Sequence, residues 1–310
     1  MKKITIIMTA LLAAMAWTGC KDTLEADDPT ALDDKPVAVG DSLILTLEVG
    51  KSINTKALDL VSNGTTLNTY WSSGEKVYVF APGSESSIGY LTATPKAGDV
   101  TKATLSGSIN ATGLEAGQKL TLLFPQATWS YDNQGGTLSS IASNFDFART
   151  QVSIEGKTDS QITTTKSTTF NNEQSIYRFG FRYGATDGPT IRTKTLLLTS
   201  NQNSLTNTVD ARTGTNTYFA SGVPMTIELS TALTAEQAAA HELIYVAIRN
   251  GNTTVDDTFS FTIYDADGAT YKGSKLIPSA SLSKPFVSAK AVAMDRLELN
   301  QYSTPVAAAL

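Results

Sequence analysis

Along Asp41-Ser42-Leu43-Ile44-Leu45-Thr46-Leu47-Glu48-Val49-Gly50 apolar and polar positions alternate. Leu43, Leu45, Leu47 and Val49 fall on one side of an extended chain, and Ile44, Thr46 and Glu48 on the other. Successive side chains of a strand point to opposite faces, so this period of two predicts a strand with one buried face. Alternation or short apolar runs predict further strands over 76–80, 89–93, 103–109, 119–124, 176–183, 194–200, 225–229, 243–249, 258–264 and 286–299. The dipeptides Asn63-Gly64, Asp187-Gly188, Asn250-Gly251 and Asp267-Gly268 accept positive φ and mark turns. The run Phe259–Tyr264, then Asp265-Ala266-Asp267-Gly268, then Ala269-Thr270-Tyr271, reads as a hairpin. Helix signals are few. Thr234-Ala235-Glu236-Gln237 fits a capping box that starts a short helix ending near His241, and 141–147 has room for a turn or two. Many short strands with few helices predict an all-β chain of antiparallel sandwiches. The polar stretch 157–173 marks a boundary, giving one sandwich over 41–168 and a second over 169–310.

The first forty residues have a different character. Lys2 and Lys3, an apolar run from Ile4 to Ala16 and small residues before Cys20 have the anatomy of a secretory signal over residues 1–19. The run is shorter than the ~20 residues needed to span a bilayer. A plain secretory signal needs no cysteine, whereas a lipoprotein signal does, and Thr18-Gly19-Cys20 resembles the end of a lipobox, with Trp17 where Leu is usual. Cys20 is therefore the expected lipidation site. Each acyl methylene placed in a bilayer contributes ~0.8 kcal/mol, so two or three chains on one residue make a lasting anchor. Residues 20–40 form an acidic, solvated tether, which resembles the surface-export signal of lipoproteins in one group of Gram-negative anaerobes.

Composition removes several alternatives. The chain carries a formal net charge of −5, and loss of Lys2 and Lys3 with the leader makes it about two units more acidic. It has no electrostatic reason to bind nucleic acid. Cys20 is the single cysteine, so disulfides and thiolate metal sites are not expected. His241, also single, sits at a helix end, which does not make a Ser-His-Asp arrangement. Asp265-Ala266-Asp267-Gly268 lacks the later ligands of a calcium loop. Ser73-Gly74-Glu75-Lys76 lacks the upstream Gly of a phosphate loop. The adjacent Asp256 and Asp257 do not share a strand face. No catalytic residue, metal or cofactor is expected. Trp71 reads as a core residue; Trp129 stays open between core and sugar platform.

Three stretches carry a resemblance. Trp71-Ser72-Ser73-Gly74-Glu75-Lys76-Val77-Tyr78-Val79-Phe80 pairs a Trp, a Gly and an acidic residue with an alternating strand. Leu122-Leu123-Phe124-Pro125 follows, and then residues 131–148, from Tyr131-Asp132-Asn133 to Asn144-Phe145-Asp146-Phe147-Ala148. Together they resemble the fimbrillin family, with Glu75 where Asp is usual and Phe147 where Tyr is common. The resemblance implies two tandem transthyretin-like β-sandwiches and an outer-membrane lipoprotein that serves as a pilus stalk subunit, anchor or tip. It implies that a trypsin-like protease cuts after a basic residue, here Lys56 or Lys51, and frees the strand bearing Leu43, Leu45, Leu47 and Val49. A neighbouring subunit's strand then fills the slot. Lys56, in the polar run Ser52-Ile53-Asn54-Thr55-Lys56-Ala57, is the better placed of two lysines read as surface residues. Implied partners are other pilus subunits, the outer membrane and a host or bacterial surface ligand. As a donor strand the C-terminus is mediocre, because Gln301 and Ser303 continue the face of Leu297 and Leu299 and Pro305 removes a donor N–H. Two rivals remain: a glycan-binding surface lipoprotein of a nutrient-uptake system, which needs clustered exposed aromatics, and an enzyme such as a glycosidase, which needs two converging carboxylates.

Overall fold

The structure, a computed structural model, describes residues 42–51, 59–60, 67–68, 70–124, 128–184, 191–239, 242–251, 254–282, 291–299 and 301–303. Cys20, Lys56, His241, the Asn63-Gly64 and Asp187-Gly188 turns, residues 286–290 and the tail after Ser303 lie outside the described residues.

The chain is all-β. Strands β1 (Ser42–Lys51), β2 (Asp59–Leu60), β3 (Leu67–Asn68), β4 (Lys76–Phe80), β5 (Gly89–Lys96), β6 (Asp99–Asn110), β7 (Lys119–Phe124) and β8 (Thr128–Ser130) precede helix α1 (Leu138–Asn144). Strands β9 (Ala148–Lys157), β10 (Gln161–Thr164) and β11 (Ser167–Asn172) follow it. Eight of these strands form one sheet in the order β10-β1-β11-β9-β7-β4-β5-β6, and β1 also pairs with β6, so the ladder closes on itself. Closure leaves no long free edge, the feature that otherwise invites unwanted pairing. The inward residues of the ring, among them Leu45, Val77, Val79, Leu91, Leu105, Leu120 and Leu122, are fully buried and form the first core. Trp71 closes this core edge-on to Phe124 and Phe170.

The stretch read as a polar boundary is part of this ring. Residues 161–164 and 167–172 form β10 and β11, both parallel to β1. Their apolar content is low, yet threonine is β-branched and fits a half-buried pleat, and Ile162, Thr164 and Phe170 point inward. A third parallel pair, β12 with β20, occurs downstream, so the sheets are not purely antiparallel.

The downstream half contains β12 (Ser175–Tyr183), β13 (Thr193–Ser200), β14 (Thr206–Asp210), β15 (Thr215–Tyr218), β16 (Met225–Glu228) and helix α2 (Ala235–Ala239). Then come β17 (Ile244–Ile248), β18 (Asp257–Asp265), β19 (Thr270–Ile277), helix α3 (Ser279–Leu282), β20 (Ala291–Leu299) and β21 (Gln301–Ser303). A three-stranded sheet, β17-β12-β20, and a five-stranded sheet, β16-β13-β18-β19-β21, enclose the second core. Phe179 and Phe181 of β12 meet Phe261 of β18 edge-on at 5.5 Å across it. The expected capping box is formed: Gln237 N donates to Thr234 Oγ1 at 3.2 Å, and Thr234 N donates to Gln237 Oε1 at 2.9 Å. The Asp267-Gly268 hairpin joins β18 to β19, with Gly268 at φ 81°. Asn250-Gly251 does not make a hairpin. β17 and β18 belong to different sheets, and Asn250 is fully buried, donating to the Tyr177 hydroxyl at 2.8 Å.

Residues 128–147 precede the expected boundary yet pack in the second core. β8 pairs with β14, Trp129 opposite Val209. Trp129 stacks on Phe147 at 5.2 Å and Tyr131 meets the same ring edge-on. Gln134, 1% exposed, donates to the carbonyls of Tyr131 and Ala247 and accepts from Ala247 N, riveting this segment to β17. The two cores thus belong to one continuous unit over the described residues between Ser42 and Ser303.

Candidate functional site

The feature with functional content is the seat of β1. Along Ser42–Gly50 it runs antiparallel to Asn110–Lys102 of β6. On its other side it runs parallel first to β10, Leu45 opposite Ile162, and then to β11, Val49 opposite Thr168. The expected alternation is realised. Leu43, Leu45, Leu47 and Val49 are 5, 0, 4 and 2% exposed, whereas Ile44 on the other face is 48% exposed. Burial of four such side chains is worth ~1.5–3 kcal/mol each, about 6–12 kcal/mol together. A whole domain is usually stable by only ~5–15 kcal/mol. β1 is also the stave that closes the ring: without it, β6 on one side and β10 with β11 on the other become open edges lining an apolar slot.

One glycine shapes that slot. Gly107 lies opposite Leu45, and a Cβ there would come within 2.3 Å of the Tyr90 carbonyl oxygen and 3.1 Å of Leu91 Cα. Close approach of β5 to β6 at this point requires a residue without a side chain.

Lys51, read from sequence as a surface residue, is buried at the end of β1. Its ammonium donates to the Tyr70 carbonyl at 2.6 Å and to Glu75 Oε2 at 3.3 Å, and lies 4.1 Å from the centre of the Trp71 ring. The two ion-pair side chains are only 2 and 7% exposed. The Lys51 side chain is thereby enclosed in the folded chain. The sequence signal for this pairing was Glu75 within the Trp71–Phe80 motif, but the partner stands on a strand 24 residues away. Sequence reasoning also missed β10 and β11, the parallel wall of the slot.

A second polar cluster joins the two cores. Glu173 accepts a short bond from Arg249 Nη1, and Arg149 Nε of β9 stands 3.7 Å from its other carboxylate oxygen. The Tyr131 hydroxyl donates to the Glu173 carbonyl at 3.0 Å; burial is the main cause that pushes this phenol far above its ordinary pKa. In the downstream half, Asp257 staples the loop after β13. Both its oxygens accept, from Ser200 and Ser204 hydroxyls and from the N–H groups of Asn201 and Gln202 at 2.9 Å. Its neighbour Asp256 instead accepts from Ser279 N, so the two carboxylates have separate structural tasks.

Trp129 is 1% exposed and so is core, not a sugar platform. Among the described residues the exposed aromatics Tyr90, Tyr218 and Tyr264 stand on β5, β15 and β18, in three different sheets. Among the described residues no group of three His, Cys, Asp or Glu side chains is placed to hold a metal ion.

No family model matches the chain, and no curated protein does. Solved structures resemble it in outline. A candidate cell adhesion protein from Bacteroides ovatus is 12% identical, with 84% of this chain and 96% of that one covered at a TM-score of 0.41. Another from Bacteroides uniformis is 14% identical, with 84 and 98% covered, at 0.41. A candidate adhesin from Bacteroides ovatus is 12% identical, with 94 and 100% covered, at 0.36. At such identities and scores the likeness concerns backbone arrangement and carries no functional weight.

Proposed function

We propose that this chain is a surface lipoprotein of the fimbrillin type, anchored through Cys20 to the outer membrane, and that it serves adhesion as a pilus stalk subunit, anchor or tip. Its assembly step is strand exchange: a trypsin-like protease cuts after Lys56, β1 leaves, and a strand from another subunit takes its seat. The observation that carries this reading is the alternating burial of Leu43, Leu45, Leu47 and Val49 between two hydrogen-bonding walls. Strand addition suits such a seat because the main-chain ladder supplies affinity and alternate side chains fill pockets. The buried Lys51 shifts cleavage away from itself to Lys56.

The magnitudes shape the mechanism. With about 6–12 kcal/mol held in four side chains, cleavage alone leaves β1 seated, and a displacing strand has to form its ladder as β1 peels away. The chain's own C-terminus is not free to do this over 291–303, because β20 is paired with β12 and β21 with β19. The donor therefore comes from residues after 303 or from a different subunit.

The test is limited tryptic digestion of the full chain, with mass spectrometry of the products and electron microscopy of the cut protein mixed with uncut and paralogous subunits. The expected result is a first cut after Lys56, retention of the β1 fragment, and its displacement only when an acceptor and donor meet. A cut chain whose β1 fragment leaves at once and whose remainder stays folded and monomeric with every subunit would overturn strand exchange.

A further inference from the structure

We propose that the groove where β7 and β9 meet the turn between β14 and β15 binds an acidic oligosaccharide, with a sugar carboxylate or sulfate held by Arg149 and Arg212. It deepens the adhesion part of the reading above by naming a ligand class. Two neighbouring hollows of about 610 and about 370 Å³ share Gln151, Arg212 and Thr213, within the size range of small-ligand sites. The larger continues past Ala81, Pro82, Gln118 and Thr121, with Glu85 and Lys119 also in its lining; the smaller holds Arg149, Thr150, Asn171 and Glu173.

Charge is the first reason. The lining of the smaller hollow carries two guanidinium groups, Arg149 and Arg212, against one carboxylate, Glu173. Glu173 is already matched by Arg249 in close contact, which leaves a surplus positive charge on a chain whose net charge is −5. Burial alone would raise the Asp210 carboxyl, but the bonds from Arg212 hold it below its ordinary value, so it stays ionised and keeps that guanidinium in place. Each hollow has one lining carboxylate, Glu85 with Lys119 in the larger and Glu173 in the smaller; Glu173 is held by Arg249, and the smaller hollow alone brings Arg149 and Arg212 together, so the ligand's anionic group belongs there.

Positioning is the second. Arg212 Nη1 donates to the Ser84 carbonyl at 3.1 Å while Nε and Nη2 grip Asp210. Arg149 Nη1 donates to the Ala211 carbonyl at 3.2 Å, and its guanidinium lies so close over Gly214 that a Cβ there would approach Nη1 to 2.9 Å. Both heads are fixed by these contacts, and the two side chains remain 29 and 28% exposed. Planar guanidinium groups held ready in this way suit bidentate recognition of carboxylate and sulfate.

The third reason separates sugar from peptide. β7 and β9 each have a neighbour on both sides, so the groove offers no free edge for an extended peptide to join. Amides and hydroxyls from Gln118, Gln151, Asn171, Thr121 and Thr213, with Ala81 and Pro82 as an apolar strip, present the mixed polar surface that a sugar ring needs.

Calorimetric titration of the full chain tests the site with three probes: a glucuronic-acid-containing disaccharide, its neutral counterpart with glucose in place of the uronic acid, and sodium sulfate. The acidic disaccharide is expected to bind at least about tenfold more tightly than either other probe, since one charge-assisted bond is worth about that factor. Arg149→Gln and Arg212→Gln should each lower its affinity about tenfold, and the double variant Gln151→Ala/Asn171→Ala by several-fold, with its thermal midpoint measured alongside because Gln151 Nε2 donates to Thr121 Oγ1. Equal affinity for the neutral sugar, binding of sulfate as tight as that of the disaccharide, no heat from any probe, or full affinity in the double variant overturns the proposal. Because β1 stays seated throughout, failure here leaves strand exchange standing, and a chain that binds the sugar but never exchanges strands leaves the groove standing.

Discussion

Truncation of one inward side chain of β1 separates a seated strand from a loosely attached one. Leu45 is fully buried, whereas its neighbour Ile44 is 48% exposed on the same strand. Leu45→Ala removes a buried side chain and leaves a void. The residue opposite is Gly107, which has no side chain to fill the space, and β6 is held from both sides by β1 and β5. The site therefore collapses poorly, and the cost belongs in the upper part of the ~2–5 kcal/mol range for buried Leu→Ala changes. Ile44→Ala on the outer face should cost at most ~0.5 kcal/mol. The molecule supplies its own probes. Trp71 reports the first core and Trp129 the second. Urea unfolding of the chain from residue 21 in a Trp129→Phe background, followed by Trp71 emission, should show the Leu45→Ala midpoint lowered by about 1 M. Ile44→Ala should unfold with the parent. If the two substitutions cost the same, or if Leu45→Ala costs less than ~1 kcal/mol, β1 is not a plug and the strand-exchange reading falls with it.

Other outcomes follow from the same geometry. Glu75→Gln removes a carboxylate from beside the buried Lys51 ammonium and should lower stability by roughly 3 kcal/mol, while the paired change Lys51→Met/Glu75→Gln recovers much of that loss in the same unfolding assay. Gly107→Ala forces β5 away from β6 and should cost about 1–3 kcal/mol, with faster amide exchange at residues 89–93 and 105–109 as the readout; unchanged exchange there would count against the close approach. Asp257→Asn should cost about 1–3 kcal/mol near neutral pH, read by thermal unfolding. Burial works to raise the Asp257 carboxyl, but bonds from Ser200, Ser204 and two N–H groups hold it below its ordinary value. The stabilisation is therefore present above the unfolded pKa of ~3.9 and is lost as pH falls through the lower folded value. The gap between parent and variant should stay constant from neutral pH to about pH 5 and close only below about pH 4; a gap that closes near neutrality refutes the assignment.

Local pattern alone determined a good deal of this protein. The inward face of β1, the extents of β4 and β7, the cap of α2 and the hairpin at Asp267-Gly268 were all legible, because strand alternation, helix caps and tight turns each depend on residues within a few positions of one another. Tertiary structure decided what those elements meet. Residues 161–172 looked like a polar connector because a threonine-rich strand shows no apolar run, and only their place beside β1 explains Ile162 and Phe170. Lys51 looked like a surface lysine because Glu75 and Trp71 reach it from another part of the chain. Trp129 and Phe147 precede the expected boundary yet lie in the second core, because β8 finds its partner in β14. The Arg149–Arg212 groove is likewise built from five separate stretches. Closing a long loop costs only slightly more entropy than closing a short one, so partners some 60 to 120 residues apart are chosen by packing, and nothing in the neighbouring sequence has to record the choice.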